Sequence, residues 1–367
     1  MRIAFLTDVH MGHPKVPANI AHDNLKRYLY PHLENIDVLL LGGDFFDDVL
    51  TLDIGAGYHA TLIIDELCTM AKQRNFLIRV LRGTWSHDRH QNKFFLRTSL
   101  DGPSAKERIK VFDTLSIETL EQYGVSIMYI PSELGYDVMA EIPETLAARG
   151  LDRVDIIAHH GYFRHLLPNG MDRIPSNTLE ASAIKRFAAL VVNGHIHSPS
   201  VVNNVVNGGS FERCCHGEEE NKGFFLIDYD PVQRSSKLEF VVNEGALTFT
   251  TLDLRQHGTE EAIDRYVKLQ TALPIVPERP TYLRVLTADV VAKQAISIRA
   301  KEHLAPLYVS FDKGDEVIEN EYSVDLEVID LPVLTESNLP EHIVSYLHDN
   351  GDDLALDEVV AMLREYA

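Results

Sequence analysis

Six short apolar runs constrain the fold of this chain most. They are IAFLTD (3–8), DVLLLGGD (37–44), NFLIRVLRG (75–83), VSIMYIP (125–131), VDIIAHH (154–160) and LVVNGHIH (190–197). Most close on Gly, Asp or His, and helical patterns stand between several of them, as around Ala18–His32 and Ala60–Arg74. Continuous rather than alternating apolar strands belong to sheets covered by helices. An α/β architecture is expected, with polar groups delivered at strand ends, where ligands of such folds gather.

After about Ser200 the texture turns to β, in VVNNVVNGGS, GFFLIDYD, KLEFVVNEG and ALTFTTLDL. ALPIVPERP (272–280), with three prolines, reads as a linker. Beyond it the pattern predicts a strand at Tyr282–Leu286, a helix near Ala288–His303 and strands near Leu307–Phe311 and Val324–Ile329. Two short helices close the chain. The expected division is a large domain over 1–271, a small α+β capping domain over 281–335 and C-terminal helices over 339–367.

The 367 residues, 45% hydrophobic and 24% charged, have a soluble globular composition. No apolar run approaches the roughly 20 residues of a membrane span, so no membrane partner is expected. MRIAFLTDVH meets an aspartate too early for a signal peptide. Cys68, Cys214 and Cys215 offer no disulfide framework, which suits a reducing cytoplasm. A net charge of −21 argues against nucleic-acid binding through the global field. It leaves room for a local basic patch, or for cations that offset the carboxylates.

The strand ends carry a recurring chemistry: Asp8 and His10 in DVH, Asp44 and Asp47 in GGDFFD, His87 and Asp88 in RGTWSHDR, His159 and His160 in AHHG, and His195 and His197 in NGHIH. Residues two apart on an extended chain project to the same side, so several strand ends converge carboxylates and imidazoles on one rim. Oxygen and nitrogen donors without cysteine suit Mn²⁺, Fe²⁺ or Zn²⁺. An aspartate shared by two ions about 3.5–4 Å apart is the arrangement of two-metal phosphoester hydrolysis, and a nearby histidine can protonate the leaving oxygen. Any one of these motifs has an ordinary reading as a capped loop or a solvated pair. Four such elements in order, each at a strand end, are much harder to obtain by chance.

This ordered set resembles the calcineurin-like metallophosphoesterases, over roughly residues 1–255. The stretch NGGSFERCCHGEEENKGFFLID (207–228) and the opening DVHMGHP look like those of SbcD-type DNA double-strand-break repair and recombination nucleases, phage enzymes included. The resemblance implies a four-layer αββα sandwich with a small capping domain. It implies that Asp8, His10 and His197 hold one metal, that Asp44 bridges, and that His159 (in preference to His160) and His195 hold the second. Asp47 would orient a ligand or fix its loop. His87 would be the leaving-group acid and Asp88 its orienting partner.

It further implies two divalent ions, Mn²⁺ first with Mg²⁺, Fe²⁺ or Zn²⁺ as alternatives, DNA as substrate, and a homodimer. The terminal helices have an ordinary reading as packing on the cap, and the resemblance suggests instead that they dock an SbcC-type coiled-coil ATPase; the complex would be cytoplasmic and nucleoid-associated (in the host cytoplasm if phage-encoded). Where the family has Gly-Asn-His-Asp, whose asparagine ligates the second metal, this chain has two extra residues and Ser86 before His87. A weaker ligand at Ser86 is therefore expected. Trp85 is expected to anchor its loop by burying its ring, with base stacking as the alternative. Arg82, Arg89, Lys93 and Arg97 form a candidate phosphate track, which Lys15, Lys26 and Arg27 would extend. Two other functions stand beside the nuclease: a small-molecule or nucleotide phosphodiesterase using the same metals, and a metal-deficient DNA-binding scaffold.

Overall fold

The structure is a computed structural model, which describes residues 1–51, 55–97, 107–167, 175, 177–273, 279–301 and 307–312. The expected strand at 324–329 and the terminal helices over 339–367 lie outside the described residues. No described helix is long and apolar enough to cross a membrane.

Two six-stranded sheets dominate. The first comprises β1 (Arg2–Leu6), β2 (Val38–Leu41), β3 (Leu77–Leu81), β4 (Ile109–Phe112), β11 (Gly223–Asp230) and β12 (Ser235–Val242), in the order β12-β11-β1-β2-β3-β4. The second holds β5 (Ser116–Leu120), β6 (Val125–Ile130), β7 (Val154–His160), β8 (Ala188–Gly194), β9 (Ser200–Val202) and β10 (Val205–Asn207), in the order β5-β6-β7-β8-β10-β9. β1 to β4 run parallel, as do β6, β7 and β8, so their carboxyl ends share an edge.

Side-chain alternation then builds the layers. Ile3, Phe5, Val38 and Leu40 meet Ile127, Tyr129, Ile156, Ala158 and Val192 between the sheets. Leu6, Leu39, Leu41 and Val80 face outward onto the helices Ala18–Asn24 and Gly55–Arg74. Met128, Ile157 and Val191 face the other way, onto the helix Val138–Ala147. The result is a four-layer αββα sandwich, as expected. The continuous apolar runs arise because both faces of each sheet are covered.

Among the described residues a third sheet, β13 (Thr248–Asp253), β14 (Thr281–Leu286) and β15 (Leu307–Asp312), pairs in parallel throughout. It packs Leu283 and Val285 against the helices Thr259–Ala272 and Val290–Lys301. This small module thus takes its first strand and helix from residues that precede the proline-rich stretch.

Candidate metal centre

At the shared carboxyl edge the chain leaves β1 and β2 through strained turns. Asp8, His10 and Asp44 have φ of 51°, 50° and 48°, and His195 beyond β8 has 87°. Left-handed backbone is uncommon outside glycine, and its concentration here is the mark of a site that the surrounding structure holds against its preference. Two glycines make room. Gly43 has φ +103°, and a Cβ on it would lie 2.3 Å from His160 Nδ1. One on Gly83 would lie 2.1 Å from Asp44 Oδ1.

Two groups of donors with no residue in common result. Asp8, His10 and His197 form the first. His10 Nε2 and His197 Nε2 approach to 3.0 Å, and each lies 3.9 Å from Asp8 Oδ1. Their other nitrogens are committed, His10 Nδ1 to Asp47 Oδ1 at 3.0 Å and His197 Nδ1 to Glu218 Oε1 at 2.7 Å. A carboxylate only accepts, so each Nδ1 carries a hydrogen and each ring turns its Nε2 toward the other. Burial opposes charge on His197, but the carboxylates of Glu218 and Asp8 outweigh it and raise its pKa, so positive charge is favoured where the two Nε2 atoms meet beside Asp8. The donor set therefore fits a divalent ion.

Asp44, His160 and His195 form the second group. His160 Nδ1 donates to the Gly42 carbonyl at 2.8 Å, which leaves Nε2 for Asp44 Oδ2 at 3.1 Å. That approach lacks hydrogen-bond geometry, so the fully buried Nε2 is otherwise unsatisfied. Burial opposes charge on His160, but the carboxylates of Asp44 and Asp8 outweigh it and raise its pKa to about 9. In the metal-free protein a proton takes the cation's place. Burial, with the neighbouring His160, lowers His195 to about 3, so its imidazole is neutral and ready to ligate. Asp8 is held by Thr7 Oγ1 at 2.6 Å and by the His195 N–H at 3.0 and 2.9 Å.

The structure corrects the choice of His159. On β7, His159 shares a face with Ile157, in the outer layer, while His160 shares one with Ile156 and Ala158, between the sheets. His159 Nδ1 bonds Asn193 Oδ1 at 2.6 Å and its ring packs edge-on to Phe163. Burial lowers it to about 4. His160 takes its place beside Asp44.

Asp88 also differs from expectation. It is fully buried and accepts from the N–H groups of Gly83, Asp44, Phe45 and Phe46, at 2.7 to 3.2 Å, and from Asn92 Nδ2 at 2.9 Å. It ties the loop after β2 to the loop after β3 and does not orient His87. The Asp47 carbonyl has that role, accepting from His87 Nδ1. The His87 ring stands edge-on to His10 at 4.9 Å.

The expected ligand Ser86 is exposed. Thr84, directly after Gly83, lies at the second group instead: its N–H donates to Asp44 Oδ1 at 2.6 Å, and its Oγ1 is 3.1 Å from Asp44 Oδ2 and 3.4 Å from His195 Nδ1. Trp85 does not bury its ring. It is 46% exposed, with His90 edge-on at 4.9 Å and the Arg82 guanidinium 5.7 Å from its centroid. Arg82 is itself buried and donates to the Ser132 carbonyl at 2.8 Å, so it leaves the phosphate track. Arg89 and Lys93 are exposed, and the Arg97 side chain lies outside the described residues.

Sequence reasoning missed Thr84, Glu218 and Lys222, and named His160 but set it behind His159. Lys222, fully buried, reaches Glu218 Oε2 at 3.0 Å, Glu220 Oε1 at 2.8 Å and the His197 carbonyl at 2.9 Å. Glu218 and Lys222 sit in the quoted stretch 207–228, so the signal was present without a partner to assign it to.

A family model described as calcineurin-like phosphoesterase matches residues 1–199. A search of curated proteins finds no significant match. Among solved structures, a crystal-structure chain aligns over 65% of this chain and 98% of its own length, at 14% identity and a TM-score of 0.34.

Proposed function

Because the chain belongs to the calcineurin-like phosphoesterase family, whose members are metal-dependent hydrolases of phosphoester bonds, we propose that this one is a Mn²⁺-dependent DNA nuclease. It would be the catalytic subunit of an SbcCD-like repair or recombination complex, acting as a homodimer with a coiled-coil ATPase. The observation that carries this reading is the stretch 207–228, similar to that of SbcD-type nucleases, whose Glu218 and Lys222 stand directly behind His197. The half-exposed Trp85 ring and the exposed Arg89 and Lys93, all within 85–93, add a surface suited to base stacking and phosphate contact.

When bound, the ions supply Lewis acidity toward the phosphoryl oxygen and lower the pKa of an attacking water. The rest belongs to the chain. Asp8, His10 and His197 would hold one ion, and Asp44, His160 and His195 the other. Asp47 and Glu218 keep the hydrogens on Nδ1 of His10 and His197, so Nε2 faces inward. His87 Nδ1 is occupied by the Asp47 carbonyl, which leaves Nε2 to carry the proton that the departing 3′ oxygen takes.

The test is cleavage of linear and hairpin DNA in Mn²⁺, with His87→Ala beside the wild type and the ATPase subunit present and absent. Cleavage by the wild type, lost in His87→Ala while the ions remain bound, supports the reading. Hydrolysis of bis-p-nitrophenyl phosphate with no cleavage of DNA in either condition contradicts it.

A further inference from the structure

We propose that the Thr84 hydroxyl is a direct ligand of the second divalent ion, beside Asp44, His160 and His195. The inference rests on the reading that the strand-end groups hold two ions, and it names the neutral ligand that completes the second set. Asp44 Oδ2 is the focus of that set, 3.1 Å from His160 Nε2 and 3.1 Å from Thr84 Oγ1, which also stands 3.4 Å from His195 Nδ1.

A hydroxyl has one hydrogen and two lone pairs. Donating the hydrogen to Asp44 leaves a lone pair for a cation in the space bounded by the two imidazoles. The position is built rather than incidental. The Thr84 N–H grips Asp44 Oδ1 at 2.6 Å, the missing Cβ of Gly83 lets the two loops close, and Asp88 bonds both Gly83 and Asp44 through their N–H groups. A β-branched side chain also restricts χ1, which holds the oxygen in place. Ser86, two residues on, is exposed and has no such setting.

A direct ligand differs from a hydrogen-bond donor in what its replacement does to metal preference. Thr84→Val, which keeps the shape and removes the oxygen, is expected to weaken one of the two Mn²⁺ affinities about 10–100-fold, the scale typical of metal-site partners. Thr84→Ser should restore most of it, and Ser86→Ala should change nothing. Thr84→Cys places a soft sulfur at the same point. One site should then shift toward Cd²⁺ over Mn²⁺ by about tenfold or more, and the Co²⁺-loaded variant should gain a thiolate-to-cobalt charge-transfer band in the near ultraviolet.

Metal titration, competition and absorption spectra of the folded, full-length variants read these outcomes without any substrate. Unchanged affinity in Thr84→Val, or a Thr84→Cys variant with neither the band nor the shift, overturns the assignment. A wild type that binds fewer than two ions overturns the metal-centre reading itself, and a wild type that binds two but cleaves no DNA leaves Thr84 in place while removing the nuclease.

Discussion

His160 shows how much rests on a single proton. Its ring is buried, yet the Asp44 carboxylate at 3.1 Å and the charge of Asp8 raise it to about 9 against an ordinary value near 6.5. A raised pKa means that the metal-free fold binds this proton more tightly than the unfolded chain does. Its stabilisation is complete below about pH 6.5 and is lost as pH rises through about 9. The same proton competes with the second ion, whose affinity should climb across that window. The advantage in unfolding free energy of metal-free wild type over His160→Gln should shrink over the same range, which denaturant melts at several pH values would read. A constant gap would contradict the assignment. At His87 the expectation is kinetic: His87→Asn should keep both ions and lower phosphodiester turnover about 10²–10⁴-fold. Single residues were only partly legible in the sequence. The D-x-H, GD and H-x-H motifs announced Asp8, His10, Asp44, His195 and His197. The pair His159–His160 did not resolve, because adjacent residues on a strand face opposite layers and only the register of β7 against β8 decides which is which.

At the scale of elements, the loops do what the strands cannot. The strands bring their ends to one edge; the turns then bend through left-handed backbone to aim the side chains. Gly83 is one pivot of this arrangement. Gly83→Ala would drive a Cβ into the Asp44 carboxylate and its backbone nitrogen, at 2.1 and 2.2 Å, and should cost about 1–3 kcal/mol of stability, measured by denaturant unfolding. The stretch after β10 is the other. Lys222→Met would leave Glu218 buried without its ammonium partner, a loss of about 3–5 kcal/mol. It should also weaken the first ion about 10–100-fold by loosening His197, as metal titration would show. The apolar runs made the strands visible in the sequence. The roles of Glu218, Lys222 and Asp88 were hidden because their partners lie far along the chain: Glu218 is 21 residues from His197, and Asp88 is 44 from Asp44.

Across the whole molecule, the sandwich explains why a metal centre can be built from loops. Two covered sheets hold five strand ends in fixed relation, so donors that are scattered over the first two hundred residues meet at one edge. The fold class was readable because helix-covered parallel strands leave an unmistakable apolar pattern. The small sheet was less so: its first strand, β13, precedes the prolines that mark the apparent break. Bound ions favour the folded state by mass action, so chelation should lower the melting temperature, and excess Mn²⁺ should restore it. The central claim is that Asp8, His10 and His197 form one ion site and Asp44, His160 and His195 another. Its most direct measurement is the number of Mn²⁺ ions bound per chain in the wild type, His10→Ala, His160→Ala and His159→Ala. Two ions in the wild type and in His159→Ala, with one in each of the others, is the predicted result; two ions retained in His160→Ala, with one lost in His159→Ala, would contradict it.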